Sequence, residues 1–99
     1  MAKGYWVGMV DVTDPEKYAG YLNAARPAYE KYGAKFLVRG GRCEDPENAG
    51  RARQVVVEFD SYETALACYN SVEYQAARKI RRDNSAGGVV IVEGVELAR

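Results

Sequence analysis

Four short segments of β-branched and aromatic residues constrain this chain more than any other feature of its sequence. They are Gly4–Val12, residues 34–39, Arg53–Phe59 and residues 89–93. Such segments are typical of β-strands. Two segments with apolar residues at helical spacing lie between the first and second strands and between the third and fourth. The sequence therefore predicts the order strand, helix, strand, strand, helix, strand.

The first helix has clear start and stop signals. Thr13 or Asp14 can cap its free N–H groups, and Pro15 suits its first turn. Pro27 lies inside the apolar stripe, where it removes a backbone donor and clashes with the preceding turn. We therefore expect a kink or a second short helix at Pro27, and Gly33 is expected to end the helix.

The second helical segment, residues 62–82, follows the capping residues Asp60 and Ser61 and is expected to break at Asn70 and Ser71. Residues 40–52 are rich in turn formers and form a long loop, and residues 84–88 are expected to turn before the last strand. Right-handed crossovers place both helices on one face of a four-stranded antiparallel sheet. The 99 residues thus predict one α+β domain over positions 1–99 with a ferredoxin-like βαββαβ fold.

Side-chain alternation divides the strands into two faces. One face is free of charge and is expected to carry the helices. It comprises Trp6, Gly8, Val10, Val12, Phe36, Val38, Val55, Val57, Phe59, Val90 and Val92. The open face is also mostly apolar and comprises Tyr5, Val7, Met9, Asp11, Leu37, Arg39, Gln54, Val56, Glu58, Val89, Ile91 and Glu93. A monomer would leave these apolar side chains in water, so we expect a homodimer through the open sheet face, a dimeric α/β barrel.

Composition excludes several kinds of site. The 14 basic and 14 acidic residues balance, which removes long-range attraction to nucleic acid or an anionic membrane. One basic cluster, Arg78, Lys79, Arg81 and Arg82, ends a helix, where cations favourably meet the dipole. The chain has no histidine, so a Ser-His triad and imidazole metal ligands are ruled out. We expect no metal, no cofactor and no nucleic-acid or membrane partner. No segment has the apolar length of a signal peptide or membrane span, and we expect a cytoplasmic protein.

Five segments resemble the domain of unknown function 1330 family. They are residues 3–7 (KGYWV), 11–15 (DVTDP), 35–41 (KFLVRGG), 55–59 (VVVEF) and 69–74 (YNSVEY). The resemblance implies the dimeric α/β-barrel superfamily, whose small chains dimerise by joining sheets. In that superfamily a small-molecule pocket often lies between sheet and helices. The resemblance implies no established activity.

Arg39 and Glu58 are the candidate catalytic residues, on neighbouring strands of the open face. Arg39 would hold a carboxylate through its bidentate guanidinium, and Glu58 would act as a general base. The alternative is a buried ion pair, alone or with Asp11, that fixes sheet register and dimer docking. Gly40 and Gly41 let the chain turn beside Arg39 and would allow a ligand to approach the backbone; turn formation alone is the alternative.

Tyr69, Asn70, Ser71 and Tyr74 are further ligand-binding candidates at the helix break. Their phenol, amide and hydroxyl groups would orient a small polar substrate, while core packing and helix capping explain them equally well. Together these features predict a pocket between sheet and helices that binds or transforms a small acidic or aromatic molecule. The alternative is a ligand-sensing or structural homodimer with no catalytic activity.

Overall fold

The computed structural model describes residues 2–96 of the chain. Its strands are β1 (Gly4–Val12), β2 (Lys35–Arg39), β3 (Arg53–Phe59) and β4 (Ser85–Glu93), and its helices are α1 (Pro15–Tyr32), α2 (Tyr62–Tyr69) and α3 (Val72–Asp83). The strands form one antiparallel sheet in the order β2-β3-β1-β4. The helices pack on one face of this sheet, which confirms the predicted ferredoxin-like α+β fold with the second helix in two pieces.

Helix α1 begins at the predicted signal and runs without a break through Pro27. The Asp14 carboxylate accepts a hydrogen bond from the backbone N–H of Lys17 at 3.2 Å, and Gly33 ends the helix in the left-handed conformation at φ 66°. Of the two alternatives expected at Pro27, a kink or a second short helix, the second helix is not formed. Pro27 has no N–H to donate to the Asn23 carbonyl. Both residues are exposed, so this carbonyl is not left unpaired in the core.

Helices α2 and α3 meet at the predicted break. The Ser61 hydroxyl caps α2 by accepting from the backbone N–H of Thr64 at 3.0 Å. The Ser71 hydroxyl caps α3, accepting from the N–H of Tyr74 at 3.1 Å and donating to the Cys68 carbonyl at 2.7 Å. Within the described residues, none of the helices is long and apolar enough to cross a membrane.

Aromatic side chains fill the core between the helices and the sheet. Trp6 is 2% exposed and lies at its centre, with ring centroids 4.7 Å from Tyr74, 5.2 Å from Phe59 and 5.9 Å from Tyr29. Its indole N–H donates to the Ala65 carbonyl at 2.9 Å. The one tryptophan of the chain is thus fixed in position by packing and by a hydrogen bond.

The predicted side-chain phase of β4 was wrong. The strand begins at Ser85, without the expected turn over residues 84–88, and Trp6 of β1 pairs with Ile91. Residues paired across strands share a face, so Val89, Ile91 and Glu93 lie on the helix side. Val90 and Val92 lie on the open side, 65% and 44% exposed. Because residues 89–92 are all apolar, alternation alone does not set their phase.

A bulge in β2 leaves Phe36 on the predicted helix side but reverses the expected phase from Val38 onward. Phe36 pairs with Val57 of β3, but Val38 pairs with the adjacent Val56, so one residue is skipped. Val38 consequently lies on the open face, where it is 40% exposed. Arg39 pairs with Val55 and lies on the helix side of the sheet, opposite to the predicted face.

The long loop of residues 40–52 is held by carboxylates of the chain itself. Asp11, at the end of β1, accepts from the backbone N–H of Ala52 and from the Arg51 guanidinium, both at 2.9 Å. Asp45 accepts from two backbone N–H groups of its own loop at 2.8 Å each. Asp11 therefore anchors the loop, and the expected buried set of Asp11 with Arg39 and Glu58 is not formed.

Candidate functional site

A cavity lies between the sheet and α1, beneath the end of α3. Its volume is about 30 Å³. Of the residues that line it, only Arg39 is exposed; the others are buried or partly buried. The lining residues are Trp6, Gly8, Val10, Tyr18, Tyr21, Leu22, Tyr29, Phe36, Arg39, Arg53, Val55, Val57, Arg81 and Val89.

Gly8 leaves the floor of the cavity open at the middle of β1. It pairs with Val55 on one side and Val89 on the other, so a side chain here would point from the sheet into the cavity. A β-carbon at Gly8 would meet its nearest atom, in Val89, at 3.5 Å, which is ordinary van der Waals contact. Glycine is therefore not needed for the strand itself, and its effect is to keep the space free.

Aromatic rings form much of the cavity wall. Tyr29 stands edge-on to Phe36 with ring centroids 5.0 Å apart, and Trp6 lies edge-on to Tyr29. Tyr18 and Tyr21 of α1 add a tilted pair at 5.3 Å. Flat apolar surfaces of this kind favour an aromatic or unsaturated organic molecule.

The tyrosine hydroxyls form a chain that leads inward from the cavity. The hydroxyls of Tyr29 and Tyr21 are 3.2 Å apart, and those of Tyr21 and Tyr74 are 2.9 Å apart. Burial raises the pKa of all three phenols well above the ordinary value. These hydroxyls therefore stay protonated at neutral pH, and the two hydrogen bonds between them use two of their three protons.

Three arginines bring positive charge to the cavity. The guanidinium of Arg39 lies over the Phe36 ring at 4.0 Å, and that of Arg53 lies 5.8 Å from the centre of the Tyr18 ring. Arg81 of α3 is 4% exposed. No acidic residue lines the cavity, and the salt bridges within residues 2–96 lie elsewhere, at Lys3–Asp60, Lys31–Glu73 and Arg51–Asp11.

The predicted catalytic pair lies on opposite faces of the sheet. Arg39 lines the cavity, whereas Glu58 pairs with Tyr5 on the open face and accepts a hydrogen bond from its hydroxyl at 2.9 Å. That bond to the carboxylate raises the pKa of Tyr5. The expectation that Arg39 and Glu58 share a face was wrong, because the β2 bulge turns Arg39 over.

Of the four candidates at the helix break, none lines the cavity directly. Tyr74 is fully buried and reaches the site only through the Tyr21 hydroxyl. Tyr69 packs against Trp6 with ring centroids 5.9 Å apart. Ser71 uses its hydroxyl in the α3 cap, and Asn70 is exposed at the end of α2. The contacts of Tyr69, Tyr74 and Ser71 are therefore those of core packing and helix capping, which were the alternatives to ligand binding.

Gly40 supports the site indirectly. Its φ of 69° lies in the left-handed region, and a β-carbon here would overlap the Arg53 guanidinium. Because Gly40 has no side chain, the Arg53 guanidinium can occupy this position beside the cavity. A β-carbon at Gly41 would meet nothing within 4 Å, so that residue makes no comparable contact.

Arg53 and Arg81 were not predicted as site residues, although their sequence positions place both side chains toward the core. Arg53 has the same parity as Val55 and Val57, which places it on the helix face. Arg81 follows Tyr74 and Ala77 at helical spacing, and these are the buried residues of α3. Val72, an apolar residue at the start of α3, is 85% exposed, so apolar spacing alone does not identify the buried side of this helix.

These features define a small α+β protein with an aromatic, arginine-lined cavity between its sheet and its helices. Residues 3–95 match the family described as Domain of unknown function (DUF1330), and the chain belongs to that family. Among curated proteins no match is found. Within residues 2–96 no group of three or more cysteine or acidic side chains is arranged to hold a metal ion.

Solved structures share the fold at low sequence identity. A protein of unknown function from Rhodopseudomonas palustris aligns with a TM-score of 0.69 and 16% identity over 96% of this chain and 84% of its own. SnoaB, a cofactor-independent oxygenase from Streptomyces nogalater, aligns at 0.61 and 8% over 99% and 98%. A dimeric protein of unknown function with a ferredoxin-like fold from Bacteroides fragilis aligns at 0.54 and 20% over 93% and 95%.

Proposed function

We propose that this protein binds a small organic molecule with an aromatic part in the cavity between sheet and helices. The observation that carries the proposal is the open floor at Gly8 beneath a wall of aromatic rings. In a close-packed core such space is normally filled, and a medium-sized side chain at position 8 would fill it. We propose binding and no reaction, because proteins that share a fold, such as SnoaB, often catalyse different reactions.

A structural homodimer without a ligand is the second candidate. The small volume of the cavity favours it, since about 30 Å³ is far below the roughly 150 Å³ of a cavity that binds benzene. The binding proposal requires that the exposed Arg39 side chain, which rests on Phe36, moves aside to admit a ligand. Such a contact at the surface contributes about 0.5–1 kcal/mol, so this movement costs little.

The protein is also proposed to act as a homodimer that closes its open sheet face on a second copy. Four valines of that face, Val7, Val38, Val90 and Val92, are 37–65% exposed in the single chain. Contiguous apolar surface of this kind marks an interface in soluble proteins. The neighbour from Bacteroides fragilis, which shares the fold, is described as dimeric.

Trp6 supplies a direct test of binding. It is the one tryptophan of the chain and lines the cavity, so its fluorescence reports occupancy. We expect a saturable change in emission with at least one member of a panel of small aromatic acids, amides and phenols. Gly8→Leu should abolish the response by filling the floor, whereas Gly8→Ala, which has room for its methyl group, should retain it.

Circular dichroism and the melting temperature of both variants check that the fold is kept. If no compound of the panel changes Trp6 emission or raises the melting temperature of the parent protein, the structural homodimer is the better account. If Gly8→Leu is folded and still responds like Gly8→Ala, binding occurs elsewhere and the cavity proposal is wrong.

A further inference from the structure

We propose that the ligand of the cavity is an organic anion, a small aromatic carboxylate, and that Arg39, Arg53 and Arg81 together recognise its negative charge. The inference rests on the proposed binding function and names its ligand class. Three guanidinium groups line the cavity and no carboxylate faces them from any lining residue. The site therefore carries a positive charge that is not balanced within it.

The charged groups of the cavity wall are all hydrogen-bond donors. A guanidinium has five N–H donors and no acceptor. The side-chain hydroxyls of Tyr21 and Tyr29 are held in the protonated form by burial, which raises the pKa of each. No lining side chain is a carboxylate, a lysine or a histidine. The wall thus offers donors to an acceptor-rich ligand and contains no side chain suited to act as a general base.

Two of these arginines have donors that remain unused. The Nε atoms of Arg53 and Arg81 are shielded from solvent and have no hydrogen-bond acceptor among the described residues. Buried donors are normally paired, and a buried charge needs a partner more than a neutral group does. Arg81, at 4% exposure, lies beside the neutral hydroxyls of Tyr74 and Tyr21, which supply no negative charge at neutral pH.

A carboxylate fits these donors better than other small acceptors do. Its two oxygens match the planar fork of a guanidinium and form two parallel charge-assisted hydrogen bonds. The rings of Trp6, Tyr29 and Phe36 offer flat surfaces for the rest of the molecule. A compact acid with one aromatic ring matches the positive charge and the aromatic lining of the cavity, and it needs the space that opens when Arg39 moves off Phe36.

Benzoate and benzamide test the inference, since they have nearly the same shape and only benzoate is charged. We expect benzoate to bind at least tenfold more tightly than benzamide, measured by Trp6 emission and by calorimetry at constant ionic strength. Charge-assisted hydrogen bonds justify a loss of about 10- to 100-fold in benzoate affinity for Arg53→Gln. Arg39→Gln should also weaken benzoate binding, and it should fold normally because Arg39 is exposed.

Arg82→Gln is the matched control. It removes the same charge from an exposed position next to Arg81 that does not line the cavity, and it should leave benzoate affinity within twofold.

If benzoate and benzamide bind equally and Gly8→Leu abolishes both, the cavity binds ligands but the anion inference is wrong. If Arg82→Gln weakens benzoate as much as Arg39→Gln and Arg53→Gln do, only general charge matters and the inference is also wrong. If neither probe binds, both the inference and the proposed function fail for this ligand class.

Discussion

At the scale of single residues, Gly40 connects backbone geometry to the cavity. Its left-handed φ of 69° is unfavourable for any residue with a side chain, and a β-carbon would overlap the Arg53 guanidinium. We expect Gly40→Ala to lower the free energy of unfolding by about 1–2 kcal/mol and to displace Arg53. Urea unfolding measures the first effect, and the loss of ligand-induced Trp6 response measures the second.

The adjacent Gly41 provides the control for this prediction. Its φ is not in the left-handed region, and a β-carbon there has open space. Gly41→Ala should therefore change the free energy of unfolding by less than about 0.5 kcal/mol. Equal effects of the two substitutions would show that general turn flexibility, not the contact with Arg53, explains the role of Gly40.

At the scale of elements, the helix caps could be predicted from the sequence, whereas the side-chain phase of β4 and of the end of β2 could not. The caps Ser61 and Ser71 and the end at Gly33 were predicted correctly, because a cap depends on a few neighbouring residues. The phase of β4 and the bulge of β2 depend on which residues the neighbouring strands present. The face on which Arg39 lies therefore became known only from the strand pairing in the structure, and with it the separation of Arg39 from Glu58.

The loop of residues 40–52 gives a pH-dependent prediction at the same scale. Hydrogen bonds from the Ala52 backbone N–H and from Arg51 lower the pKa of Asp11 below its ordinary value of 3.8. A lowered folded-state pKa stabilises the fold above the unfolded value, and this stabilisation is lost as pH falls through the folded pKa. We expect Asp11→Asn to be less stable than the parent protein at about pH 6, with the difference shrinking below about pH 4.

Chemical denaturation of both proteins across this pH range measures the difference. Glu47→Gln is a suitable control, because Glu47 is exposed in the same loop and its side chain makes no hydrogen bond or ion pair with the described residues. It should lose no stability at either pH. A stability difference for Asp11→Asn that stays constant from about pH 6 to below pH 4 would contradict the anchoring role of the carboxylate.

At the scale of the whole molecule, the helices cover one face of the sheet and leave apolar side chains on the other. Val90 is the most exposed of the open-face valines, at 65%, and a glutamate here would place an unpaired charge inside the proposed dimer. We expect Val90→Glu to convert a particle of twice the 11.0 kDa chain mass into one of a single chain in sedimentation velocity. Val72→Glu, on α3 and 85% exposed, adds the same charge to the helix layer and should leave the dimer intact. A monomeric parent protein, or a Val90→Glu variant that stays dimeric and folded, would mean that the open sheet face is not the interface.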